Sequence, residues 1–215
     1  KVAAASAARL DVLTSFARVA DLYNYTKPKL TTEQEYKLIH GRHPVVERLV
    51  DIESYIPNDF SIGENNLAII TGPNMAGKST FIRMLAILAI MAQCGSFVPA
   101  EYFQLGLVDR VFARVGASDD LGSGQSTFMV EMNEVASIIS GATHRSLIIL
   151  DEVGRGTSTL DGLAIAWAIS EYLATRIKAR SVFATHYHEL IGLEKEFLNV
   201  TNLSMAVQEY QKEVV

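Results

Sequence analysis

Cysteine is almost missing from this sequence. Cys94 stands alone, so no disulfide can close within the chain, and its place in an apolar run fits a reducing compartment. Long hydrophobic runs are missing too. The longest, from Met84 to Cys94, is interrupted by Gln93 and is too short to span a bilayer. The start is Ala-rich and helical and has no signal-peptide cleavage pattern. Basic charge is scarce: 19 Lys and Arg against 24 Asp and Glu give a net charge of −5. Neutralising nucleic-acid phosphates needs clustered Lys and Arg, so strong nucleic-acid binding by this piece alone is not expected. DNA contact through other parts of a longer protein stays open. There are no repeats and no low-complexity tracts. What is present is an ordinary globular balance, 49% hydrophobic and 20% charged over 215 residues, enough for one domain or one with an appendage.

Along the chain, apolar residues at Leu10, Leu13, Phe16 or Ala17, and Ala20 give a helical period from Lys1 to about Tyr23. Asn24 to Glu35 is polar, carries Pro28, and reads as a connector. Tyr36 to His40 suits a strand, with Gly41–Arg42–His43–Pro44 as a turn that His40 and His43 serve. The run Leu67–Ala68–Ile69–Ile70 suits a strand buried on both faces. The next helix carries Phe81, Leu85, Leu88 and Ala92 with Ile87 and Ile90 between them, so it should be mostly buried. Strands are expected over Arg110–Val115, Leu147–Leu150 and Ser181–Ala184, and helices over Thr127–Ile139 and around Leu163–Leu173. Gly116 to Gln125 reads as a loop, and Val200 to Val207 as an edge strand. Strands alternating with helices predict a largely parallel sheet covered by helices.

The strongest local signal is Gly72–Pro73–Asn74–Met75–Ala76–Gly77–Lys78–Ser79, a full match to G-x-x-x-x-G-K-[ST] between an apolar strand and a helix. Each residue type has a physical reason. Glycines let the backbone wrap closely around phosphate oxygens and aim successive N–H groups inward. The helix that follows adds its N-terminal dipole and unpaired amides. Lys78 supplies a compact cation at the β and γ phosphates, and Ser79 a hydroxyl for Mg²⁺.

Leu147–Ile148–Ile149–Leu150–Asp151–Glu152 is an apolar strand ending in two carboxylates. Alone it is a weak signal, since charges at strand ends often only face solvent. Ligands of open parallel sheets bind beyond the strands' carboxyl ends, which puts Asp151 in the same crevice as the cradle. Asp151 is then expected to hold Mg²⁺ through water, and Glu152 to act as base or orienter for the attacking water. His186 closes a third apolar strand, where its ring could reach the γ-phosphate or the water. His186 and His188 lack a third partner at a metal-ligand spacing, and His144 reads as a surface residue.

Taken in order, Gly72 to Thr80, Ser123–Gly124–Gln125–Ser126–Thr127–Phe128–Met129–Val130–Glu131–Met132, Asp151 to Thr159 and Thr185–His186–Tyr187 closely resemble the ATPase domain of MutS-type mismatch-repair proteins; Gly41 to Pro44 also fits. The likeness covers most of the chain, and the run ending at Glu131–Met132 favours the mismatch-recognising branch. The resemblance implies an α/β fold of the P-loop NTPase kind, similar to ABC ATPases: a mostly parallel sheet flanked by helices, with an antiparallel edge portion. It implies ATP or ADP with Mg²⁺, and a homo- or heterodimer joined through the ATPase face. In that arrangement Ser126 reaches the nucleotide of the opposite subunit, where its place before a helix leaves a hydroxyl and free amides facing outward. It further implies that Tyr55, beside Ile56 and Pro57, stacks on adenine, that Asn74 assists the γ-phosphate or water, and that Asp161 and the Gly156–Thr159 loop lie at the dimer interface. Phe128 and Met132 are expected in the helix core.

By the same likeness, residues 1–24 are expected to end a helix of a preceding lever or core domain, and 25–215 to form an ATPase domain cut short at its C-terminus. Mismatched DNA and a MutL-type repair partner would engage the parent protein. The family's mismatch-reading segment is not in this sequence. The expected setting is the cytoplasm or nucleoid of a bacterium, or a nucleus or organelle. Two other readings compete: a nucleotide switch that binds without turnover, which intact Lys78, Ser79, Asp151 and Glu152 speak against, and another ABC-type ATPase. A transport ATPase is disfavoured by the lack of a membrane segment and by Ser123–Gly124–Gln125 in place of Gly-Gly-Gln.

Overall fold

The computed structural model describes residues 2–50, 55–63, 66–116, 126–206, 209–210 and 213–214. The chain divides into two compact units, one built from residues 1–61 and 87–107, the other from 62–86 and 108–215.

The first unit opens with helix α1 (Val2–Leu22), as the periodicity predicts, but none of its residues is buried. Leu10, Leu13 and Leu22 are exposed along it. A four-stranded sheet follows from β1 (Lys29–Thr31), β2 (Tyr36–Gly41), β3 (Asn58–Ile62) and β5 (Tyr102–Gly106), in the order β1-β5-β2-β3. β2 runs antiparallel to β5, and β1 parallel to it. Its core is aromatic: Phe60 and Phe103 meet the buried Tyr36 ring nearly edge-on, with centroids 5.4 and 5.1 Å away. His43 does serve the turn, since its Nδ1 accepts from the amides of Val45 and Val46.

The second unit carries the sheet that organises the site. Strands β4 (Leu67–Thr71), β6 (Val111–Arg114), β7 (Leu147–Asp151), β8 (Arg180–Ala184) and β9 (Val200–Ser204) lie in the order β6-β7-β8-β4-β9. Every pairing in it is parallel. β4, β7 and β8 are buried at every position, as a parallel sheet covered on both faces requires. Helices α2 (Lys78–Gln93), α3 (Thr127–Gly141), α4 (Thr159–Tyr172) and the short α5 (Leu193–Glu196) alternate with these strands. Within this unit α2 is buried at Phe81, Ile82, Met84 and Leu85; its residues from Ile87 on belong to the first unit, where Leu88, Ala89 and Ala92 are buried. Leu67, Ile69, Ile148, Leu150 and Phe183 form the centre of a core joined by Val135 and Ile138 of α3 and Ala166 and Ile169 of α4. A fully buried side chain of this size contributes roughly 1.5–3 kcal/mol.

The expected antiparallel portion is placed differently. β9 is an edge strand, but it lies parallel to β4. Antiparallel pairing occurs instead between β2 and β5, and in the two-residue strands β10 (Glu209–Tyr210) and β11 (Glu213–Val214), each in a sheet of its own. Among the described residues, no helix is long and apolar enough to cross a membrane.

Candidate functional site

Because the strands of the five-stranded sheet all run the same way, their carboxyl ends share one edge. The register aligns Ile70 and Asp151 with Ala184 from either side, and Arg114 with Leu150. Four loops therefore leave the sheet at one level: those after β4, β6, β7 and β8.

The loop after β4 turns tightly. Gly72 (φ 147°), Met75 (φ 68°) and Gly77 (φ 83°) all have positive φ, which the two glycines adopt without steric cost. A side chain at Gly72 would also crowd the backbone of Met205. Met75 is almost fully exposed, with Pro73 and Asn74 exposed beside it, while Ala76 and Thr80 are half-buried. Lys78 is buried, and its Nζ donates to the carbonyls of Gly72 (2.7 Å) and Pro73 (2.9 Å). The loop thus folds around an ammonium group at the first turn of α2, a centre of positive potential suited to an anion.

Asp151 is buried at the end of β7 and hydrogen-bonded by Ser79. Its Oδ1 is buried with no protein hydrogen-bond partner. Burial raises its pKa above the usual carboxylate value, against the Ser79 hydrogen bond and the positive charges of Arg83 and Lys78. Glu152 takes a left-handed backbone (φ 51°), uncommon for a residue with a side chain, and its amide donates to Ala184 O (2.8 Å). The Glu152 carboxylate is paired with Arg155. His186 stands after β8 with Nδ1 buried and without a hydrogen-bond partner. Desolvation depresses its pKa, so the neutral ring is favoured, while the Glu152 charge opposes this. Tyr187, packed beside the His186 ring, donates its hydroxyl to Gly154 O at 3.0 Å.

Ser126 caps α3: its side chain accepts from the Met129 amide (3.3 Å), and it is exposed. Ser123, Gly124 and Gln125, expected to complete that segment, lie outside the described residues. Ser158 caps α4 in the same way and bonds the exposed Asp161. Met132 packs against the core, while Phe128 is half-buried against Gly156. Tyr55 and Ile56 belong to the first unit, where the Tyr55 hydroxyl accepts from the His43 amide (2.7 Å) and Ile56 is exposed.

A cleft of about 190 Å³ joins several of these groups, lined among others by Ser79, Asp151, Glu152, Arg155 and Thr127. Three of its cationic or acidic walls were given no site role by the sequence, although Glu131 lies in a quoted motif: Arg83, Arg114 and Glu131. Arg83 had a signal, because it lies four residues after Ser79 and so on the same helix face. Arg114 had none beyond ending a strand.

The fold and this edge define a mixed α/β protein whose glycine-bounded, lysine-bearing loop sits at the carboxyl end of a parallel sheet. The family model described as MutS domain V matches residues 68–215, and the chain belongs to that family. It is 54% identical over 217 residues to the DNA mismatch repair protein MutS of Acetivibrio thermocellus, a match covering 100% of this chain and 25% of that relative. Against the MutS proteins of Clostridioides difficile and Carboxydothermus hydrogenoformans it is 56% identical over 204 and 216 residues, covering 94% and 100% of the chain and 22% and 26% of the relatives. The chain thus spans about a quarter of the length of the curated relatives it matches.

Proposed function

We propose that this chain is the Mg²⁺-dependent ATPase domain of a DNA mismatch-repair protein, with a P-loop, ABC-type site completed by a second subunit. The observation that carries the reading is the buried Lys78 ammonium, held by Gly72 and Pro73 at the head of α2 beside the Ser79–Asp151 pair. Two of its three N–H donors are committed to the loop, leaving one for an incoming phosphate oxygen. The backbone around residues 72–80 grips the triphosphate, with Asn74 near its end.

Magnesium fits the oxygen donors here. Asp151 offers a buried oxygen without a protein partner, and Ser79 a hydroxyl next to it. Among the described residues no cluster of three or more His, Cys, Asp or Glu exists, which suits an ion held largely by phosphate oxygens and water. Held by Ser79 and Asp151, Mg²⁺ would supply charge neutralisation for the phosphates. Glu152 orients the attacking water and takes its proton, and neutral His186 donates a hydrogen bond to that water or to the γ-phosphate.

Ser126 serves the opposite subunit's nucleotide, so ATP favours a closed dimer and hydrolysis reopens it. In the parent protein this cycle is coupled to mismatched DNA and to a MutL-type partner, inside the cytoplasm, nucleoid or nucleus. To test the shared site, full-length Lys78→Ala and Ser126→Ala proteins are mixed. Each alone is inactive, and the mixture is expected to regain ATPase activity, because one of its two interfaces then has an intact cradle and an intact serine. A mixture as dead as its components removes the shared site.

A further inference from the structure

The guanidinium of Arg114 is a buried charged group on this sheet edge to which the proposed chemistry assigns nothing. It ends β6, is only 7% exposed, and makes three separate contacts. Its Nη1 donates to Gly116 O, its Nη2 lies 3.3 Å from Glu131 Oε1, and its Nε lies 3.0 Å from Glu134 Oε2 as an ion pair without a hydrogen bond. Glu131, 4% exposed, sits on α3 one turn after the Ser126 cap, with Glu134 three residues further along the same face. Arg114 therefore holds Gly116 on one side of residues 117–125 and α3 on the other.

Burying two charges is expensive, and α3 has no need of them for its own packing, which Val135, Ile138 and Met132 supply. Such a pair is better suited to fixing a geometry than to adding stability. The geometry points to Arg114 as a positioning residue for the reaction: through Glu131 and the Gly116 carbonyl it sets where the start of α3, and so Ser126, is presented to a second copy of this chain. This rests on the shared-site reading above. Its consequence is specific. Loss of the Arg114 fork harms the nucleotide site of the partner subunit and leaves the cradle of its own chain intact.

The test uses the full-length protein with Arg114→Lys, which keeps the charge but has no planar fork able to span Gly116 and the carboxylates. A misplacement on the ångström scale costs about 100-fold, so kcat is expected to fall by up to that factor while KM for ATP stays nearly unchanged. Mixing with Lys78→Ala should restore part of the activity, because the cradle of the Arg114→Lys chain then meets an undisturbed Ser126. Mixing with Ser126→Ala should restore none, because both chains then fail in the same role. Glu131→Gln should show the same pattern, and it carries the test if Arg114→Lys does not fold. Wild-type kcat in both variants overturns the inference. So does a defect that persists with Lys78→Ala while the Lys78→Ala and Ser126→Ala mixture recovers, since Arg114 would then act on its own chain's site. If that control mixture stays inactive, the shared site itself has failed and the inference falls with it.

Discussion

Asp151 ends β7 and His186 follows the neighbouring β8, and burial acts on them in opposite directions. For Asp151, the charged form is the one that burial penalises, so its folded pKa lies above the ordinary 3.8. As pH rises through 3.8 the unfolded chain ionises first, and the native state loses stability until Asp151 itself ionises; above that the cost is constant. Asp151→Asn removes this cost. We expect it to melt at a higher temperature than the parent at pH 7, to lose that advantage below pH 3.8, and to hydrolyse no ATP. A lower melting temperature at pH 7 would mean that the carboxylate is stabilised by its neighbours rather than strained. His186 has a folded pKa below the ordinary 6.5. The unfolded state then binds the extra proton first, so stability is full above about 6.5 and falls as pH drops from there towards the folded value. Melting curves between pH 7.5 and 5.5 should show a steeper decline for the parent than for His186→Asn. Equal slopes would show that the ring is not held neutral.

At the scale of elements, the start of α4 is pinned by contacts that only glycine permits. A Cβ on Gly162 would overlap the Tyr187 hydroxyl and the Gly154 carbonyl, and Gly154 has φ 95°. Gly162→Ala should therefore cost about 1–3 kcal/mol by overpacking. Tyr187→Phe should cost about 1–3 kcal/mol by leaving the Gly154 carbonyl without its donor. Combined, the two should cost less than their sum, since removing the hydroxyl removes part of the clash; strict additivity in denaturant titrations would contradict this geometry. The same contacts show what sequence could and could not reveal. β4, β7 and β8 were readable because strands buried on both faces are continuous apolar runs, and the cradle because its glycines sit at fixed spacing beside them. Strands β1, β3 and β5 were not foreseen. β1 is three residues inside the polar stretch read as a connector, and β3 and β5, five residues each, interleave polar Asp59, Ser61 or Gln104 with their apolar positions, too short a pattern to outweigh a loop. The partners of the site escaped for a different reason. Arg114 and Tyr187 act through groups 17 and 33 residues away, Glu131 and Gly154, and no local period encodes such a distance. The antiparallel portion was foreseen as a type of pairing but not as a separate sheet, because strand order is a tertiary property.

For the molecule as a whole, the proposed split of the site between two copies would make activity a property of concentration. If the exposed Ser126 serves a partner's nucleotide as proposed, hydrolysis should follow the dimer population. Below the dimer dissociation constant the ATPase rate per chain should rise in proportion to chain concentration, and above it become constant. Glu152→Gln is expected to bind ATP without consuming it and so to hold the closed dimer, shifting the sedimentation boundary with ATP and Mg²⁺ but not with ADP. Ser126→Ala should weaken that shift, because the triphosphate then bridges the subunits with one contact fewer at each site. The two measurements check each other. A rate per chain that does not depend on concentration, together with a Glu152→Gln boundary that ATP leaves unmoved, would place the complete catalytic apparatus within one chain and return Ser126 to the role of a helix cap.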